Sequence, residues 1–162
     1  MTLTNARRSR RVAAGALIPF VAALVATTSS PAQASTRSNG CTVTPLTPVY
    51  AGYETSGGDK MIRYRISVAC EANRSAVVNW QGVEEDWSTF YHYNPDDTDF
   101  SRTVTVSFGP ASTRTLSYDD ALPNTERGKE EMYHKIRFRV ISNGVVSPRT
   151  AWERTRYVSF FN

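Results

Sequence analysis

Three consecutive carboxylates, Glu84-Glu85-Asp86, stand between Val83 and Trp87. They offer one half of a glycoside hydrolysis, in which one carboxyl group protonates the leaving oxygen while a second stabilises or attacks the developing cation. No spacing in the sequence singles out the second acid. The run reads first as a solvated turn and second as the centre of a small secreted hydrolase. Asp96, Asp97 and Asp99 next present the oxygen ligands that a hard cation such as calcium takes. Counted from Asp97, however, Arg102 occupies the position an EF-hand loop reserves for glycine, and no glutamate closes the loop. Asn94-Pro95-Asp96-Asp97 serves equally as a turn whose side chains satisfy local amides. The expectation is no bound metal.

Nucleophilic catalysis needs a nucleophile, a base and an orienting group. The two histidines are His92 and His134, and no serine lies in a Gly-x-Ser-x-Gly elbow. His92, within Tyr91-His92-Tyr93, reads as a histidine among aromatics on a strand. Neither cysteine is expected to be a free thiol, and no Cys/His spacing suggests zinc. The sequence therefore predicts no catalytic residues and no cofactor.

Two other groups of residues suit binding. Lys135, Arg137 and Arg139 alternate with Ile136, Phe138 and Val140, so on a strand the three cations form a ladder on one face. Acids on neighbouring strands and loops are the ordinary partners of such a ladder. An anionic extracellular partner, an acidic wall polymer or an acidic protein surface, is the functional alternative. The rings around Trp87 and Tyr91 are the second candidate, because an exposed aromatic patch stacks on sugars or anchors a protein. A protruding hairpin would serve a third role, that of an enzyme inhibitor.

The elements that position these residues begin after an export signal. Arg7, Arg8, Arg10 and Arg11 precede an uncharged run from Val12 to Ala26, and Ala32-Gln33-Ala34 supplies the small residues a signal peptidase reads. Ser9-Arg10-Arg11-Val12 also approaches the twin-arginine export pattern. Cleavage divides the chain into a signal over 1–34 and a single mature domain over 35–162. It removes four of the 19 basic residues and none of the 15 acidic ones, which leaves a formally neutral protein. Neutrality takes away the counterion-release argument for nucleic acid. No second apolar run is long enough to span a bilayer, so the expected location is extracellular. There Cys41 and Cys70 pair. Closing that loop removes unfolded-chain entropy worth about 3.5 kcal/mol, and Cys70 shares the inward parity of Ile66 and Val68, so the bridge should be buried.

Past a polar lead-in, Ser35 to Gly40, the dominant signal has a period of two. Strands are predicted near 42–50, 61–70, 76–82, 88–93, 102–108, 113–118, 133–142, 145–150 and 154–161. Asn143-Gly144 marks a tight hairpin, since both of its central residues tolerate positive φ. The predicted core includes Ile66, Val68, Trp80, Val104, Val106, Ile136, Phe138 and Val140. Short strands with one polar face each predict an all-β, two-sheet antiparallel β-sandwich.

Tyr133 to Val140, followed by Ser142-Asn143-Gly144-Val145-Val146-Ser147-Pro148, resembles the last hairpin of fibronectin type III domains. Leu122-Pro123 is similar to the turn that introduces it. Trp80 after Cys70 resembles the core tryptophan of immunoglobulin domains, although the Cys41–Cys70 bridge would join the first strand to the second rather than sheet to sheet. The arrangement also resembles small secreted proteins of actinobacteria. The resemblance implies an immunoglobulin- or fibronectin III-like sandwich and supplies no activity; the function expected from the residues is a secreted, non-catalytic module that binds an extracellular protein, glycan or anionic wall polymer.

Overall fold

The computed structural model describes residues 35–85, 97–123 and 128–161. The export segment 1–34, the expected strand over 88–93, and Asp86, Trp87, Tyr91, His92 and Asp96 lie outside the described residues. Ten strands and no helix occur within them: β1 (Thr36–Ser38), β2 (Cys41–Glu54), β3 (Lys60–Cys70), β4 (Arg74–Glu84), β5 (Asp97–Phe108), β6 (Ser112–Ala121), β7 (Glu130–Ser142), β8 (Val145–Val146), β9 (Glu153–Arg154) and β10 (Val158–Phe160). They form two antiparallel sheets. The first has the order β1-β2-β3-β6, and the second has β10-β7-β4-β5, with β8 and β9 also paired to β7.

The alternation that defines each strand also builds the core. Ile62, Tyr64, Ile66 and Val68 of β3 face Ala76, Val78 and Trp80 of β4 and Ile136, Phe138 and Val140 of β7, all buried. Val104 is only partly covered and packs against this cluster, because β5 is the outermost strand of its sheet. Cys41 and Cys70 stand directly opposite each other in the β2–β3 register and form a buried disulfide with an S–S distance of 2.05 Å. The bridge thus closes one end of the first sheet.

Two segments differ from the sequence expectation. The supposed lead-in is a hairpin: Asn39 and Gly40, with φ of 41° and 73°, turn β1 back onto β2. The same dipeptide chemistry makes the expected Asn143-Gly144 turn, where φ is 50° and 77°. The chain after that second turn does not form the long strands predicted over 145–150 and 154–161. Pro148 has no N–H to donate, and three hydroxyl side chains take over the edge of β7 instead. The N–H groups of Val140, Phe138 and His134 donate to Ser147 Oγ, Thr150 Oγ1 and Thr155 Oγ1 at 2.9, 3.0 and 3.2 Å. The N–H groups of Ser147, Thr150 and Thr155 return bonds to the Val140, Phe138 and His134 carbonyls. An irregular strap therefore satisfies the β7 edge as a strand would, and it carries Trp152 past the basic ladder.

Candidate functional site

Two places gather chemistry-bearing side chains, and β7 contributes to both. The first is the interior near the end of β4. Glu84 closes β4 with 2% of its surface exposed, and Glu130 opens β7 fully buried. The β4–β5 register slips between Gly82 and Val83, leaving Asp99 as the extra residue of β5. The Phe100 ring causes the adjacent crowding, since a Cβ on Gly82 would lie 2.2 Å from it. Asp99 hydrogen-bonds the buried Tyr64 hydroxyl. Burial pushes its carboxyl up to about 6, helped by the negative charges of Asp120, Asp97 and Glu130. Burial raises the Tyr64 hydroxyl as well, helped by the negative charges of Asp99, Asp120 and Glu84.

Of the acids expected to supply one half of a glycosidase pair, Glu84 is buried, the Glu85 N–H donates to the Glu131 carbonyl at 2.7 Å, and Asp86 lies outside the described residues. Asp97 and Asp99 belong to β5 rather than to a ligand loop. Among the described residues, no group of three or more acidic, histidine or cysteine side chains has the geometry to hold a metal ion.

His134 completes the interior. Its Nδ1 accepts from Trp80 Nε1 at 2.7 Å, which leaves the ring proton on Nε2, donated to the Leu46 carbonyl at 2.6 Å. The ring therefore joins β4, β7 and β2 across both sheets, among the rings of Tyr64 and Trp80. Burial pushes His134 down to about 4, against the pull of the Leu46 carbonyl. Both ring nitrogens have fixed partners in the neutral form, so His134 is a structural connector.

The second place is the outer face of the same strand. Lys135, Arg137 and Arg139 do form the expected ladder, each partly buried. In register, they stand beside Gln81, Asn79 and Val77 of β4, and beyond these lie Ser101, Thr103 and Thr105 of β5. The neighbouring strands supply no acid at these positions. They supply neutral pairs: Asn79 Nδ2 donates to Thr103 Oγ1 at 2.8 Å, Gln81 Nε2 to Ser101 Oγ at 3.3 Å, and Ser75 and Ser107 share a bond of 2.8 Å. Among the described residues, no acid side chain pairs with any of the three cations.

The first sheet shows what ion pairing looks like in this fold. Arg63 of β3 stands opposite Asp119 of β6 and donates two hydrogen bonds to it at 2.8 and 2.6 Å, while the Tyr53 hydroxyl donates a third. Hydrogen bonding from Arg63 holds the Asp119 carboxyl below the usual carboxylate range. On the second sheet an aromatic ring takes the place of the acid. The Arg137 guanidinium lies 4.6 Å from the centre of the Trp152 ring and the Lys135 ammonium 5.6 Å from it. The Nε atoms of Arg137 and Arg139 are covered and have no hydrogen-bond partner among the described residues. A buried donor left unpaired costs about 1–3 kcal/mol.

Arg154 of β9 lies beside Lys135 in register, and its guanidinium sits over the ring of buried Tyr133. Trp152 was not apparent from sequence: the contact depends on the strap, and no alternation marks it. The expected aromatic patch at Trp87 and Tyr91 lies outside the described residues. No protein-family model and no curated protein matches this chain.

Proposed function

We propose that this chain is an exported, non-catalytic binding module that holds an anionic extracellular partner on the outer face of its second sheet. The observation that carries this reading is the ladder of Lys135, Arg137 and Arg139, which has uncharged β4 neighbours, Gln81, Asn79 and Val77, and no acid partner among the described residues. Like charges on one face repel unless something intervenes. Trp152 offsets part of that repulsion by cation–π attraction, and an anion offsets the rest. The strand order, with β2, β3 and β6 in one sheet and β4, β5 and β7 in the other, supports the finer resemblance to fibronectin III-like modules. The buried Cys41–Cys70 bridge supports an oxidising compartment. Among the described residues, no helix is long and apolar enough to cross a membrane.

The test is retention of the protein on anionic cell-wall material across a salt series. Retention should fall steeply as salt rises, because exposed charges are screened. It should fall by about tenfold at low salt in Arg137→Ala/Arg139→Ala, the equivalent of one charge-assisted hydrogen bond. Unchanged retention of a folded double variant refutes the reading.

A further inference from the structure

We infer that the partner of this face is a linear acidic polysaccharide laid along β7 and β4, an inference that rests on the reading above and names its ligand class. The cations alone fit any polyanion. Alternate strand residues stand about 7 Å apart, so Lys135, Arg137 and Arg139 form a line about 14 Å long. The neutral columns narrow the choice. Asn79 and Gln81 lie one strand away from the cations, about 4.8 Å to the side. Ser101, Thr103 and Thr105 lie one strand further.

These columns keep hydrogen-bonding capacity after their mutual bonds are made. When Asn79 Nδ2 donates to Thr103 Oγ1, the Asn79 carbonyl oxygen still accepts and the Thr103 hydroxyl proton is still available to donate. The same holds for Gln81 and Ser101. A chain with carboxylates toward β7 and hydroxyls toward β4 and β5 satisfies both sets at once. A polyanion with neither hydroxyls nor amides leaves the neutral columns unmatched. Trp152, with 38% of its surface exposed at the margin of the ladder, adds an aromatic surface of the kind sugar rings pack against.

Polygalacturonate, polyacrylate and dextran serve as the probes, with binding to the purified protein measured by titration calorimetry at low salt. Polygalacturonate should bind at least about tenfold more tightly than polyacrylate at matched charge concentration, and dextran should not bind detectably. Asn79→Ala/Gln81→Ala should lose about tenfold in affinity for polygalacturonate, as expected for a few neutral hydrogen bonds, with little change for polyacrylate. Arg137→Ala/Arg139→Ala should weaken both polyanions. Equal binding of the two polyanions, or an Asn79→Ala/Gln81→Ala variant that binds polygalacturonate as the parent does, overturns the polysaccharide assignment and leaves the basic-face reading intact. If the arginine variant binds both polyanions as the parent does, both proposals fail.

Discussion

The two faces of β7 divide seven consecutive residues, His134 to Val140, between them and obey different rules. On the inner face His134, Ile136, Phe138 and Val140 are almost completely buried, and the polar atoms of the His134 ring have fixed partners. On the outer face Lys135, Arg137 and Arg139 have no acid partner among the described residues, and two of their Nε atoms are covered and unpaired. A strand that satisfies its buried polar groups so fully on one side is not short of ways to satisfy them. The contrast with Arg63, which has Asp119 opposite it, makes the same point within one fold. Arg65 and Arg74 also have a covered Nε with no partner among the described residues, so what sets the outer face of β7 apart is three cations in line with no acid partner among the described residues.

The inner face should yield the largest effect. Phe138→Ala deletes a fully buried ring and should lower unfolding free energy by about 3–5 kcal/mol, measured by chemical denaturation. A near-neutral result would break the comparison by showing that this face is not the core.

The next effect is one of pH. The native pKa of His134 is depressed, from 6.5 to about 4, so between those values the unfolded chain binds the extra proton. Stability from this group is complete above pH 6.5 and declines by up to about 3 kcal/mol as pH falls to 4. Asp99 acts in the opposite sense. Its native pKa is raised from 3.8 to about 6, so the folded state takes its proton first and stability grows as pH falls through that window. Asp99 is exposed, so solvent screening makes this slope the smaller of the two. Asp99→Asn should therefore steepen the loss of stability toward pH 4, and His134→Gln should flatten it. Denaturation curves at pH 7, 5.5 and 4 check both signs, and the opposite ordering of the two variants contradicts the assignment.

The smallest stability effect belongs to the outer face. Arg137→Ala/Arg139→Ala removes two partly buried cations with no acid partner among the described residues; loss of the Trp152 contact and relief of the covered Nε atoms act in opposite directions, so unfolding free energy should shift by no more than about 1 kcal/mol. A loss of 2 kcal/mol or more, beyond the usual range for surface substitutions, would mean that the ladder is structural and has partners of its own.

The alternation of β7 and the Asn143-Gly144 turn were legible because each is a local pattern. So was the inward parity of Cys70, which put the disulfide in the interior. Asn39-Gly40 carries the same turn chemistry, but the three residues before the turn are too short and too polar for a period to register. The bonds of His134 join residues 54 and 88 positions away in sequence, and no local spacing encodes them. The gathering of Glu84, Asp99, Asp120 and Glu130 arises from four different strands and one register slip. The strap over 147–155 bonds to β7 through hydroxyl side chains, so a reading based on alternation extends it as strand and misses where it places Trp152.

The most direct measurement compares two variants that remove the same charge from different sheets. Arg65→Ala/Arg114→Ala takes two cations from β3 and β6, and Arg137→Ala/Arg139→Ala takes two from β7. Net charge changes equally, so any difference in binding to anionic wall polymer reports position. The account predicts that the β7 variant loses about tenfold or more in affinity at low salt while the other stays within about twofold of the parent. Equal losses in the two variants would show that the polymer responds to net charge alone, and would contradict the assignment of a binding face to β7.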